Sequence, residues 1–340
     1  MALFRRPTPA TPLDGIDAIF ADLDGVVYAG QNAIPHAVEA LNRAAESMTV
    51  GYVTNNAART DATVAAQLSG FGLDVTPQQV ITSPQAAVRL LAELIPAGST
   101  VLAVGGEGLV VELERGGFTV TRSGTDNPVA VVQGFAPEVS WTELAEAAFV
   151  LQPRDDGTEL PWIATNTDWT IPRERGIAPG NGTLVSAVHT AIGRLATVAG
   201  KPEVPIFDEA RRRFGASNPL FIGDRLDTDI RGANAAGMRS VLVLTGIDQA
   251  KHVLAADPKS RPTFILEDLR QLHEPYPETI MSRDGRRARV RDAIVRTEGT
   301  EVIIEREGDN GIDLLRAGSA AIWASGRAIF GFNVPEQLYS

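Results

Sequence analysis

The sequence predicts an α/β fold. A parallel sheet is interrupted by an inserted second α/β domain and followed by a small α/β appendage. Three observations predict it. Short apolar runs alternate with helical patterns near the start of the chain. The same signature returns late, and a polar cluster follows each of four apolar runs. Apolar runs of about 4–8 residues between helical patterns mark βαβ units whose strands are buried on both faces.

Residues 1–14 read as a loose arm rich in Pro, Thr and Arg. Ala18 to Asp22 (AIFAD) reads as a strand. Pro35 to Glu46 carries helical spacing through Ala37, Val38, Leu41 and Ala44. Thr49 to Thr54 (TVGYVT) is a second strand and Asp61 to Leu68 a helix. A middle stretch has its own rhythm: Val101–Val104 leads into Gly108–Glu114, Pro128–Val132 into Trp141–Val150, and Pro161–Ala164, through a polar loop, into Thr183–Ile192. The first pattern then resumes. Thr197–Ala199 is strand-like, Pro202–Phe214 helical, Pro219–Ile222 a strand, Asp229–Ala236 a helix and Ser240–Leu244 a strand. Pro202 suits a first helical position, where the missing N–H costs nothing. The expected division is therefore a core over 15–84 and 191–275, an insertion over 85–190 and an appendage over 276–340. The appendage holds an arginine-rich stretch (283–296), a strand-like TEVIIE and a helix-like segment near 312–325.

Composition narrows the function. The chain has 340 residues, 44% hydrophobic and 21% charged, enough for two domains with substantial cores. A net charge of −11 disfavours a general nucleic-acid binder, which needs a basic footprint. Acids beside a phosphorylated substrate would need a cation between them. The absence of cysteine excludes disulfides, thiolate nucleophiles and zinc–thiolate sites. MALFRRPTPATP has no apolar stretch behind it, as a signal peptide would, and no run reaches the ~18 apolar residues of a membrane span. A cytoplasmic protein without a membrane partner is expected.

Four clusters carry the chemistry. Asp22 and Asp24, in DLDGVVY, stand at the carboxyl end of the first predicted strand, where open α/β sheets place ligands. Thr54, Asn55 and Asn56 follow TVGYV, and their hydroxyl, amides and backbone N–H groups suit phosphate oxygens. Lys201 lies between Gly200 and Pro202. Asp224 and Asp229, in GDRLDTD, follow another buried strand. Taken singly, these read as polar turns, a capping loop and a solvated lysine. Together they place D-x-D, Thr, Lys and G-D-x-x-x-x-D at the ends of four predicted parallel strands.

DLDGVVY, VTNNA, GKP and IGDRLDTDI resemble, in this order, the four motifs of the haloacid dehalogenase superfamily, over about residues 16–270. The resemblance implies a Rossmann-like parallel-sheet core and a Mg²⁺-dependent phosphomonoesterase working through an aspartyl-phosphate. It implies Asp22 as nucleophile and metal ligand. Asp24 becomes acid and then base, and lends its carbonyl to the metal. Asp224 completes the metal's protein ligands and Asp229 orients metal-bound water or Lys201. Thr54 and Lys201 hold the phosphoryl oxygens. An acid at position 24 favours a phosphatase over the family's dehalogenases and ion pumps.

Only 30 positions separate Asp24 from Thr54, but 147 separate Thr54 from Lys201, so the insertion falls between the second and third motifs. In this superfamily that is a C2-type cap. VTNNAART and IATNTD resemble the NagD-like and p-nitrophenyl phosphatase-like subgroup, with Thr167 where proline is common. The resemblance makes Asn55, Asn56, Asn166, Asp168 and Arg173 candidates for substrate binding, with Arg175 and His189 behind them. The loop 169–182 should cover the active site. A small phosphorylated metabolite is the expected partner: glycerol 3-phosphate first, phosphoglycolate next. A broad nucleotide or sugar-phosphate phosphatase is the alternative within the class, and a metabolite sensor or scaffold the alternative outside it. The resemblance also admits a homodimer. The appendage is similar to that of actinobacterial glycerol 3-phosphate phosphatases, some with an acetyltransferase-like piece. AGSAAIWASG lacks the closely spaced glycines of an acyl-CoA pyrophosphate loop, so packing or dimerisation is the expected role.

Overall fold

The structure, a computed structural model, describes residues 10–154, 157–173 and 175–340. The arm expected over 1–14 lies outside them as far as Pro9. By contact density the chain divides into two units: the segment up to Val50 with Ser217–Ser340, and Gly51–Ala216.

In the first unit, Ala18–Ala21 pairs in parallel with Pro219–Gly223, which pairs with Arg239–Val243, which pairs with Phe264–Leu266. Every residue of Ala18–Ala21 is at most 1% exposed, which is why the sequence there is a continuous apolar string. Helix Ala37–Ala45 buries Ala37, Leu41 and Ala44 as the sequence suggested, with Ala40 in place of the half-buried Val38. The helix expected over Asp229–Ala236 has two parts, a π turn at Leu226–Ile230 and an α-helix at Arg231–Ala235.

In the second unit, Tyr52–Thr54, the end of strand Thr49–Thr54, pairs in parallel with Val80–Thr82. A separate five-stranded sheet runs Thr197–Val198, Trp162–Ala164, Ala130–Gln133, Thr100–Val104, Thr119–Thr121, parallel throughout. This sheet therefore extends beyond residue 190. Helices Trp141–Val150 and Asn181–Ile192 cover it, with Ala147, Val185 and Val188 packed on Leu102, Val131 and Trp162. The polar loop expected over 169–182 is instead largely a hairpin, Thr170–Arg173 against Gly176–Pro179. Pro172 and Pro179 disguised it, but a two-stranded ribbon is all edge, where proline is tolerated. Helix Val204–Phe214 starts two residues later than expected. Glu203 is its N-cap and Pro205 occupies its first turn, while Pro202 precedes it, joined to Lys201 by a cis peptide bond.

The appendage is a four-stranded antiparallel meander, Thr279–Met281, Arg287–Val290, Ala293–Glu298 and Glu301–Arg306, followed by helix Gly311–Ala324. Within the arginine-rich run, Arg287–Val290 is a strand because it alternates: Arg287 and Arg289 face solvent while Ala288 and Val290 are buried. Val290, Val295, Leu315 and Ala321 share one apolar cluster with Ile230, Leu242, Val253 and Ile265. The appendage and the sheet of the first unit thus have a common core. Among the described residues, no helix is long and apolar enough to cross a membrane.

Arg316, 5% exposed, fastens this junction. Its Nε and Nη2 donate to the Ile265 carbonyl at 3.0 and 2.6 Å, its Nη1 donates to Asp313 at 2.8 Å, and its guanidinium lies 4.5 Å from the Tyr276 ring centroid. Removing it leaves the Ile265 carbonyl unmet and takes from Asp313 its buried partner, although Arg291 Nη1 still donates to Asp313 at 3.0 Å; losing such a buried contact costs up to about 3–5 kcal/mol. Arg316→Ala should lower unfolding stability by that order in a urea titration. A loss under about 1 kcal/mol, the range of an exposed pair, would show that the junction does not depend on it.

Candidate active site

In the first unit, the register Ala21 opposite Ile222 brings two strand ends level, so Asp22 and Asp224 emerge side by side. The Asp22 N–H continues the ladder by donating to Ile222 O at 2.8 Å. Asp22, Asp224 and Asp229 are 8%, 1% and 0% exposed, and each offers a carboxylate oxygen within 4.8 Å of the others. Like charges this close and this dry require a cation. The donor set is all oxygen, which fits a hard divalent ion such as Mg²⁺. Asp229 Oδ2 also accepts from the N–H groups of Asp224 and Arg225, at 3.3 and 3.1 Å, so it braces the loop that carries Asp224. Asp24 is exposed, and Tyr28 Oη lies 3.3 Å from its Oδ2. Between them the Leu23 carbonyl accepts from Val27 and Tyr28 at 2.8 and 3.1 Å, and Gly25 takes φ +82°, which turns the chain sharply.

The loop after strand Arg239–Val243 completes this acidic cluster. Ile247 N–H donates to Asp224 Oδ2 at 2.7 Å, Asp248 Oδ2 accepts from Leu226 N–H at 2.6 Å, and Thr245 Oγ1 donates to Gly25 O at 2.7 Å. Sequence reading missed these residues. Their signal was a T-G-x-D segment following a buried strand. Two glycines make room for the Asp224 carboxylate: a Cβ on Gly25 or Gly246 would fall 2.3 or 2.0 Å from Asp224 Oδ2.

In the second unit, Thr54 ends its strand 4% exposed. Its Oγ1 accepts from Asn56 N–H at 3.1 Å, which leaves the hydroxyl proton to donate. Asn56 Oδ1 accepts from Ala58 N–H at 3.0 Å, forming an Asx turn. Asn55 turns its amide to the main chain of Lys201, which is 4% exposed. Asn166, 3% exposed, donates through Nδ2 to Asn55 O at 2.7 Å, and its Oδ1 accepts from Asp168 N–H at 3.1 Å. The structure thus brings Asn55, Asn166, Asp168 and Lys201 into one network. Arg173 ends the hairpin's first strand and its side chain lies outside the described residues; Arg175 is exposed. His189 serves its own helix instead, with Nδ1 2.8 Å from the Arg194 carbonyl just past the helix end.

Residues 19–119 match the family model of haloacid dehalogenase-like hydrolases, and residues 198–272 match a second model of HAD-like hydrolases. The chain belongs to the haloacid dehalogenase-like hydrolase family and is a phosphoric monoester hydrolase. It is 39% identical over 309 residues to the D-glycerol 3-phosphate phosphatase of Mycobacterium tuberculosis, covering 90% of this chain and 86% of that one. A solved structure of a glycerol phosphate phosphatase from the same organism, in complex with magnesium, matches with TM-score 0.84 and 37% identity, covering 96% of this chain and 95% of that one. The p-nitrophenyl phosphatase from Archaeoglobus fulgidus matches with TM-score 0.69 and 27% identity, covering 76% of this chain and 98% of its own.

Gly246 offers a direct check on the acidic cluster. A methyl group there must displace the Asp224 carboxylate, whereas the backbone, at an ordinary φ, accepts alanine. Disturbing a metal ligand's support typically costs about 10–100-fold in affinity. Gly246→Ala should weaken Mg²⁺ binding by at least that much in calorimetry. Unchanged affinity would remove Asp224 from the metal site.

Proposed function

We propose that the chain is a Mg²⁺-dependent phosphatase of glycerol 3-phosphate, with phosphoglycolate the next candidate, acting through an aspartyl-phosphate on Asp22. The observation that carries the chemistry is the buried trio Asp22, Asp224 and Asp229 at two adjacent strand ends. The substrate assignment is supported by the mycobacterial relative. Its structure matches 96% of this chain, an extent reached only with the appendage included, whereas the p-nitrophenyl phosphatase match stops at 76%.

Bound by Asp22, Asp224 and the Asp24 carbonyl, Mg²⁺ would supply charge neutralisation between carboxylate and phosphoryl group. A carboxylate oxygen of Asp22 attacks phosphorus, and the bond from phosphorus to the alcohol oxygen breaks. Protonated Asp24 gives its proton to the departing alkoxide. Asp24, now a carboxylate, takes a proton from water. The resulting nucleophile attacks phosphorus, the bond to Asp22 breaks, and inorganic phosphate leaves. Thr54 and Lys201 hold phosphoryl oxygens, and Asp229 keeps the loop of Asp224 in place.

Asp22→Asn should abolish turnover with little loss of fold, because an amide neither attacks phosphorus nor binds Mg²⁺ as a carboxylate does. Asp24→Asn should lower the rate on an alkyl phosphate by about 10²–10⁴-fold. Wild-type rates in either variant would remove that residue from its role. EDTA should silence the enzyme and Mg²⁺ restore it. Ca²⁺ should inhibit, since its larger, looser shell can draw both oxygens of Asp22 into coordination. Ranking glycerol 3-phosphate, phosphoglycolate, nucleotides and sugar phosphates by kcat/KM tests the substrate, and a first place for any other ester would displace glycerol 3-phosphate.

A further inference from the structure

Asn55 grips the main chain of Lys201 from both sides. Its Oδ1 accepts from the Lys201 N–H at 2.8 Å, and its Nδ2 donates to the Lys201 carbonyl at 3.0 Å. Nδ2 also donates to the Asp168 carboxylate, at 3.1 and 3.3 Å. The Asn55 carbonyl accepts from Asn166 Nδ2 at 2.7 Å and from Ser83 Oγ at 2.8 Å, and the Asn166 carbonyl accepts from Asn181 Nδ2 at 2.7 Å. Gly200 allows the approach: a Cβ there would fall 2.4 Å from Thr165 O and 2.6 Å from Asn55 Oδ1. These residues all belong to the second unit.

We infer that Asn55 and Asp168 form a clamp that positions Lys201, and that the Ala164–Asp168 segment places this lysine and does not read the leaving group. The inference rests on the proposed role of Lys201 as a ligand of phosphoryl oxygens. Only a primary amide satisfies the clamp, because it needs an acceptor on one side and two hydrogens on the other. Asp168 fixes which way the amide faces, since a carboxylate repels Oδ1 and attracts Nδ2. A lysine ammonium rides on a flexible four-carbon stem, so its place depends on how firmly its own backbone is held. Every phosphate ester presents the same head group. A displaced Lys201 therefore weakens all of them alike, whereas loss of a leaving-group contact weakens them unequally.

The test measures kcat/KM for glycerol 3-phosphate, phosphoglycolate and p-nitrophenyl phosphate, with the inhibition constant of inorganic phosphate, in the full-length Mg²⁺-loaded protein. Circular dichroism and thermal melts check the fold. Asn55→Asp sets a carboxylate against the Lys201 carbonyl and Asp168. It should lower kcat/KM about 10²-fold on every ester and weaken phosphate inhibition, with about tenfold for Asp168→Ala and about tenfold recovery when Asp168→Asn is added to Asn55→Asp. Asp168→Ala, which leaves the contacts to Lys201 in place, carries the test if Asn55→Asp does not fold. Losses that differ between esters overturn the clamp, as does a double variant no better than Asn55→Asp. Lys201→Ala separates the two claims. If it changes neither turnover nor phosphate inhibition, the role of Lys201 falls and the inference falls with it. If it damages both while Asp168→Ala does nothing, the clamp alone is overturned.

Discussion

Three carboxylates, on Asp22, Asp224 and Asp229, are held within 4.8 Å of one another and almost dry. Unneutralised, such a group would push itself apart. Much of the first unit is arranged around this constraint. The register of two buried strands sets Asp22 beside Asp224, and N–H groups of the 224–226 loop face Asp229 and Asp248. Gly25 and Gly246 leave the Asp224 carboxylate space that no side chain could share. The cluster is thus prepared by backbone before any ion arrives. Preparation of this kind lets a site stabilise developing charge without reorganising.

The core strands were legible because they are buried on both faces. AIFA, TVGYVT and PLFIG are continuous apolar strings, and Thr49–Thr54 matches its expected bounds. The polar residues at their ends, Asp22, Thr54 and Asp224, were legible in position for the same reason, since a strand's end fixes where the next residue lies. Legibility failed where tertiary context overrides local pattern. Pro202 looked like a helix start, but Pro205 takes that place and the helix begins at Val204. The prolines of the Thr170–Pro179 hairpin suggested a loop. The arginines at 287 and 289 masked a strand whose signal was the Ala288 and Val290 between them. Asn55 was not legible as a partner of Asn166 and Asp168, because it lies 111 and 113 positions from them in sequence and meets them in the fold.

The appendage shows a similar limit. Its composition gave no chemistry, and packing or dimerisation was the expected role. The shared apolar cluster gives that role content: Val290, Leu315 and Ala321 complete a core begun by Leu242 and Ile265. Arg316 reaches through it to the carbonyl of Ile265, in the strand at one end of the unit's parallel ladder. A buried arginine answering a strand carbonyl is a polar contact that an apolar core alone would leave unmade. The meander is therefore part of the unit that carries Asp22 and Asp224.

The two units hold their functional side chains by opposite means, and the difference follows from charge. In the first, anions are crowded so that a cation must relieve them. In the second, a cation is placed through its backbone by a neutral group. A carboxylate in the position of the Asn55 amide would add a competitor for the Lys201 ammonium, against the phosphoryl group it is proposed to hold. An amide avoids that conflict, because it binds the lysine's N–H and carbonyl and adds no charge. The acid of the network, Asp168, accepts from that amide. The neighbouring Thr54 and Asn56 are settled by contacts to the N–H groups of Asn56 and Ala58, which orient the tripeptide and again add no charge. In a chain with a net charge of −11, this choice matters. Where acids are abundant, the group that touches the lysine's own backbone is best a neutral one, with the acid kept behind it at one further hydrogen bond.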